Sequence, residues 1–218
     1  MLIGQAQLAV KTLNTNYDLD VQEYVIINFS GLERIIDKLG GLSIDVKSYE
    51  INETNKYIRE LNRINGGTWV DGIGNSGVQT LKGRQAVAYA RIRKVGDGDT
   101  QRTERQRMVL EKVIDKLFQK SHSDLLSLAY EFMPYVKTSV SINELAGTAK
   151  DYNKFKDAKI EQYKYPEEYY GGIIRGAWVA KPLTLESNVR KLMKFIYETD
   201  EYTPSAKLKE ISKEIENM

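Results

Sequence analysis

The chain has 218 residues, 41% hydrophobic and 28% charged, and its 32 basic and 30 acidic side chains leave a net charge of +2. That is enough apolar mass for a buried core, and too even a charge balance for the broad basic face that non-specific DNA binding needs. With no cysteine, a single histidine and no run of 18 apolar residues, disulfides, thiolate metal sites, histidine triads and a spanning helix within these residues are excluded.

Residues 5–16 read as a helix, with Leu8, Ala9, Thr12 and Leu13 on one side and Asn16, Tyr17 and Asp18 ending it. Residues 24–29 (YVIINF) form a nearly continuous apolar run, as in a strand covered on both faces. Ser30 with Glu33 three residues on is a capping box that opens a helix over 31–39. Gly40 and Gly41 stop it, and residues 42–46 alternate as a strand. This strand–helix–strand unit predicts an α/β layered fold. Residues 49–64 follow as a polar helix with Tyr57, Leu61 and Ile64 in one stripe. The glycine-rich stretch 65–77 is a flexible rim or lid, in which Trp69 either covers the site or, the favoured reading, packs against a core edge.

Helices are predicted over 82–89, 103–120, 123–132 and 141–155, the last capped by Ser141 or Asn143. Residues 160–165 alternate as a strand, 169–172 form a turn, 176–180 a short strand and 185–197 a helix. From Thr199 onward the chain is charged and interrupted by Pro204, so 199–218 reads as a tail with at most a marginal helix. His122, after a helix in KSHSD, reads as a surface residue at a helix end.

Chemistry concentrates between Arg84 and Arg107, where six of the eleven arginines lie: Arg84, Arg91, Arg93, Arg102, Arg105 and Arg107. Arginine is favoured where a rigid fork of donors must grip carboxylate or phosphate oxygens. Stepping about 100° per residue from Arg102 puts Gln106, Val109, Val113 and Leu117 near one line, Arg105 to the other side and Arg107 toward solvent. Arg91 and Arg93 point the same way if their segment is extended and diverge if it is helical. The loop Gly96–Asp97–Gly98–Asp99 supplies an aspartate able to hold an arginine fork. A solvated, salt-bridged loop is the competing reading.

The ordered string Gly83–Arg84–Gln85–Ala86, Tyr89–Ala90–Arg91–Ile92–Arg93, Gly98–Asp99 and Arg102–Thr103–Glu104–Arg105–Gln106 resembles the LytR–CpsA–Psr family of bacterial cell-envelope proteins. YVIINF and the following GLERIIDKLGGLSIDV agree with it, and the likeness extends over about residues 5–197. The resemblance implies a three-layer fold, a central mixed sheet flanked by helices, over residues 1–198. It implies a phosphotransferase that moves an anionic glycopolymer (teichoic acid or capsule) from undecaprenyl pyrophosphate to a peptidoglycan sugar hydroxyl. Arg91, Arg93, Arg102 and Arg105, with Gln106, fall on the family's pyrophosphate-binding motif, and Asp99 on its aspartate. Phe29, Leu32, Ile35, Ile36, Val109 and Val113 would line the lipid channel, or, residue by residue, simply form core.

The family also implies magnesium, held by aspartates on strands upstream of anything matched here, and a membrane helix before those strands. The expectation is therefore an N-terminally incomplete domain, itself soluble. Its native setting would be the extracellular face of the cytoplasmic membrane, reached only through an anchor outside these residues. A binding module without chemistry is the alternative. A transcriptional attenuator is disfavoured, since neither a helix-turn-helix pattern nor a basic face for nucleic acid is present.

Overall fold

A computed structural model describes residues 2–141, 144 and 158–218. In chain order the elements are α1 (Leu2–Tyr17), β1 (Val25–Ile27), α2 (Phe29–Lys38), β2 (Leu42–Val46), α3 (Ile51–Asn65), β3 (Gly77–Leu81), α4 (Gly83–Ala90), α5 (Asp99–Phe118), α6 (His122–Phe132), β4 (Val136–Thr138), β5 (Tyr169–Ile174), β6 (Ala177–Pro182), α7 (Leu185–Tyr197) and α8 (Ala206–Glu216). They divide into two units, Val25–Ala158 and Met1–Tyr24 with Lys159–Met218. The helix expected over 141–155 lies outside the described residues.

In the unit Val25–Ala158, period-two burial makes β2 a strand: Leu42, Ile44 and Val46 are buried while Ser43 and Asp45 are exposed. It pairs antiparallel with β3, Leu42 facing Leu81 and Val46 facing Gly77. β1 pairs antiparallel with β4, Val25 facing Thr138. The mixed α/β class holds, but among the described residues the strands form separate two-stranded antiparallel sheets and not one central mixed sheet. β1 and β2 flank α2 in sequence without pairing with each other.

Helix α2 starts earlier than the Ser30 capping box predicts. Asn28 is the N-cap, its side-chain oxygen accepting from Gly31 N at 2.8 Å. Ser30 instead donates to that same Asn28 oxygen. Asparagine and serine cap about equally well, so local sequence cannot choose between them. Ile36, Leu39, Leu42, Ile44, Ile58, Leu81, Val87 and Val109 form one core under α2, α3, α4 and α5. Gly83 explains how closely α4 approaches α2. A β-carbon there would lie 2.0 Å from Glu33 O, so only glycine fits. Asp37 Oδ1 accepts from Gly83 N at 2.7 Å and satisfies one of α4's free N-terminal donors.

The 65–77 connection is pinned rather than loose. Asn62 exchanges hydrogen bonds with the Val70 backbone and Asn55 with that of Ile73. Trp69, expected to pack, is 61% exposed. The asparagine clamps fix the backbone on either side of it and leave its ring outside.

The second unit is organised by α7, whose Leu185, Val189 and Met193 enclose Leu208 of α8. Buried Asn188 spends its amide fully: Oδ1 accepts from Glu167 N and Glu168 N, and Nδ2 donates to Glu168 O and Thr184 O. Residues 199–218 are therefore no weakly docked tail. Ser205 caps α8 by accepting from Leu208 N, and Leu208 is fully buried.

Two further local expectations fail here. Residues 160–165 form no strand. Residues 169–172 are not a turn but lie within β5, and the hairpin turns at Arg175–Gly176, both with positive φ, the two-residue turn that suits strand twist. Aromatic rings cover the strand glycines: Trp178 lies over Gly171 and Tyr170 over Gly172, restoring the packing a glycine forfeits.

Candidate functional site

Helix α4 ends at Ala90 and Arg91 is its C-cap, with φ −92° and ψ −6°. The backbone is thus not extended here, and the two-residue spacing separates Arg91 from Arg93. Arg91 turns toward α3, pairing through Nη2 with Glu60 Oε1 at 2.9 Å. Its guanidinium carbon lies 5.3 Å from the Phe29 ring centre and 5.2 Å from that of Tyr57. Arg93 turns toward α5, where its Nε meets Asp99 Oδ1 at 3.0 Å. Arg102 Nη2 meets the same oxygen at 2.8 Å.

Asp99 is the first residue of α5, which begins four residues before the predicted start at Thr103. An acidic side chain in the first turn suits the positive end of a helix dipole, and Gly98, with φ 58°, supplies the turn into it. Asp99 and Arg93 are exposed along most of their side chains, while Arg102 is half-buried. Arg102 Nε is buried, with no acceptor among the described residues. Gln106, one turn on, is exposed.

Arg105 does not join this group. It is 3% exposed and its fork is spent inside the protein: Nε on Glu50 Oε1 at 2.7 Å, Nη1 on Ile92 O at 3.3 Å and Nη2 on Gln101 Oε1 at 2.9 Å. The predicted stripe through Arg102 and Gln106 is accordingly shifted, the buried line running Arg105, Val109, Val113. A buried carboxylate, Glu50, draws Arg105 inward, while Gln106 has no such partner inside. Arg107 is half-buried rather than directed to solvent. Over this cluster lies Tyr89, whose hydroxyl is pushed up to about 12, first by burial and then by the nearby Glu50 charge. Arg84 is also internal, pairing with buried Glu33 and donating to Asn62 Oδ1, Thr68 O and Gly66 O.

Of the candidate lipid-lining residues, Ile36, Val109 and Val113 are core. Leu32 and Ile35 are partly buried against it, and Phe29 is 52% exposed. An apolar cavity of ≈ 380 Å³ lies beside them, lined by Ile35 together with Leu117, Leu125, Leu128, Phe132 and Met133. Helix α6 supplies one side of this wall, and Val25, Val136 and Thr138 of β1 and β4 supply another. The α6 stripe Leu125, Leu128, Ala129 and Phe132 has helical spacing, so the pattern was present in the sequence although the site reading did not use it. Helix α2 joins the two features. Phe29 lies under Arg91 at one end, and Ile35, about 9 Å further along the axis, opens on the cavity.

The sequence model of the LytR_cpsA_psr family matches residues 2–194, nearly the whole chain. The chain belongs to the LytR–CpsA–Psr family. Among curated relatives it is 27% identical over 204 residues to the polyisoprenyl-teichoic acid–peptidoglycan teichoic acid transferase TagV of Bacillus subtilis, covering 92% of this chain and 49% of that protein. It is 35% identical over 113 residues to TagT of the same organism, covering 52% of this chain and 32% of that one. The chain thus spans about half or less of the curated relatives it matches. Among solved structures, B. subtilis TagV superposes with a TM-score of 0.62 at 24% identity, covering 89% of this chain and 70% of that one. TagT bound to LI-WTA gives 0.56 at 25% identity, with 99% and 68% covered. The mixed α/β fold of this LytR–CpsA–Psr chain is that of these structures.

The magnesium that the family implies has no seat among the described residues alone. No group of three or more His, Asp or Glu side chains is placed to hold a metal ion there. The carboxylate at the arginine site, Asp99, already has two guanidiniums on one oxygen. Nor, among the described residues, is any helix long and apolar enough to cross a membrane.

Proposed function

We propose that this chain carries the lipid-pyrophosphate site of a cell-envelope glycopolymer transferase acting at the extracellular face of the cytoplasmic membrane. Arg93 and Arg102, with Gln106 beside them, bind the pyrophosphate of a polyprenyl-linked anionic glycopolymer such as teichoic acid. Arg91 steers the bridge between head group and tail. The prenyl chain runs past Phe29 and Ile35 into the apolar cavity, and a peptidoglycan sugar hydroxyl is the acceptor. Guanidiniums that neutralise charge on a leaving phosphate contribute through electrostatics and positioning, which dominate phosphoryl transfer.

The observation that carries this reading is the meeting of Arg93 and Arg102 on one Asp99 oxygen at the start of α5. An oxyanion is already accepted there, at the positive end of a 20-residue helix. The unpartnered Arg102 Nε supports it, since a buried donor gains from any acceptor that arrives. A thermal-shift titration with pyrophosphates carrying prenyl tails of increasing length tests both halves. Saturable stabilisation that grows with tail length, and is lost in Arg102→Ala, is expected. Stabilisation independent of tail length would remove the cavity from the proposal, and none at all would remove the arginine site. Ala129→Phe, which narrows the cavity, should weaken the long-tailed ligand and leave inorganic pyrophosphate unaffected.

The second reading is a module that binds the same lipid without chemistry. Magnesium-dependent transfer of a labelled polymer by this chain would eliminate it.

A further inference from the structure

Arg105, 3% exposed, has its fork engaged inside the protein, and its contacts suggest a different task. Glu50, 3% exposed, accepts from Arg105 Nε through Oε1 and from Lys47 N through Oε2, so both its oxygens are committed. It is thereby fixed at the entrance to α3. From that anchor the planar fork reaches two further points. Nη1 takes Ile92 O, the peptide carbonyl between Arg91 and Arg93. Nη2 takes Gln101 Oε1, and the Gln101 amide packs against Gly96, where a β-carbon would stand 1.9 Å from that same oxygen. Gly96, with φ 66°, belongs to the loop that separates Arg93 from Asp99.

Resting on the lipid-pyrophosphate reading above, we infer that Arg105 is a positioning residue: it holds the Arg91–Arg93 backbone and, through Gln101, the glycine loop in the geometry that lets Arg93 and Arg102 close on one anion. Arginine suits this because one rigid guanidinium spans three acceptors at fixed angles. A lysine ammonium at the same position could neutralise Glu50 but could not bridge to Ile92 O and Gln101 together. Burial adds to the effect, since hydrogen bonds in a low-dielectric interior are stiffer than the same contacts in water. The exposed arginines are free to exchange partners, while the backbone that carries them is not.

The test uses the full chain and two readouts. The first is calorimetric titration with geranylgeranyl pyrophosphate of the parent, Arg105→Lys, Gln101→Met, the double variant and Arg102→Ala. Arg105→Lys and Gln101→Met should each weaken binding by about tenfold, and the double variant should be no weaker than the weaker single, because both cut one strut. The second readout needs no ligand. Amide hydrogen exchange over residues 92–98 should quicken in Gln101→Met while α3 and α4 stay protected.

Parent-like affinity in both single variants would reduce Arg105 to a stability residue. Additive losses would mean that it contacts ligand independently of Gln101. Unchanged exchange in the loop would overturn the strut whatever the ligand does. If Arg105→Lys fails to fold, Gln101→Met decides alone, since Gln101 is half-exposed and its loss leaves the Glu50–Arg105 pair intact. If the parent does not bind, or Arg102→Ala binds as the parent does, the pyrophosphate reading fails, while the exchange measurement still judges the strut.

Discussion

Arg93 and Arg102, nine positions apart in the chain, converge on a single oxygen, Asp99 Oδ1, at 3.0 and 2.8 Å. Arg93 and Asp99 are mostly in water and Arg102 is 32% exposed, and ion pairs this open to solvent contribute only about 0–1 kcal/mol to stability. Replacing Arg93 or Arg102 with alanine should therefore shift unfolding free energy by less than about 1 kcal/mol. Loss of a charge-assisted hydrogen bond to phosphate should at the same time weaken prenyl pyrophosphate by about 10- to 100-fold. Urea melts and titration of the same samples separate the two effects. A large stability loss with unchanged affinity would remove these residues from the site.

Arg84 should behave in the opposite way. Its guanidinium neutralises Glu33, a side chain only 8% exposed, and ties down the backbone at Gly66 and Thr68. Arg84→Ala strands that carboxylate in the core, and the expected cost is about 3–5 kcal/mol. The folded fraction should still bind pyrophosphate like the parent. Urea unfolding reads the first quantity and titration below the transition reads the second.

Acid should loosen the unit that contains α1, α7 and α8. Desolvation works to raise Asp18, yet hydrogen bonds from the Tyr202 hydroxyl, Ser205 N and the Ser205 hydroxyl outweigh it and hold the carboxyl below the ordinary aspartate value. A depressed folded-state value means that the contribution is fully present above the unfolded aspartate range. It is lost as pH falls through the lower folded value. Asp18→Asn should be less stable than the parent by a constant amount above about pH 4, and the gap should close as pH falls below it. An identical acid profile in parent and variant would rule out Asp18 as the cause.

Leu208 tests whether the last twenty residues belong to the core. It is fully buried among Leu185, Val189 and Met193. Leu208→Ala should cost about 2–5 kcal/mol by transfer and cavity terms. A cost under about 0.5 kcal/mol, the range of surface substitutions, would return residues 199–218 to the status of a tail.

The charged composition of that segment hid its role. Leu208, Ile211 and Ile215 make one face of α8, but a short stripe among lysines and glutamates becomes a docked helix only where a partner groove exists. Helix α7 was legible to the residue over 185–197, because Thr184 caps it and its apolar period is unbroken. Period and capping are local properties. The β5–β6 hairpin was misplaced because its glycines signal a turn, whereas Trp178 across the hairpin and Tyr170 on the same strand supply the packing those glycines lack.

At the candidate site the division falls between chemistry and geometry. Order and spacing in A-R-x-R followed by D-x-x-R-x-x-R-Q were enough to name the family and to propose where an anion would bind, because residue type sets what a side chain can bind. Which guanidiniums remain available was beyond the motif. Arg84, Arg91 and Arg105 are engaged by Glu33, Glu60 and Glu50, which stand 51, 31 and 55 positions away in the chain. Buried Glu33 and Glu50 must be paired or be heavily destabilised by desolvation, so packing claims Arg84 and Arg105 for the interior, while half-exposed Glu60 holds Arg91 against α3. Those that meet no such carboxylate, Arg93 and Arg102, are left at the surface around Asp99.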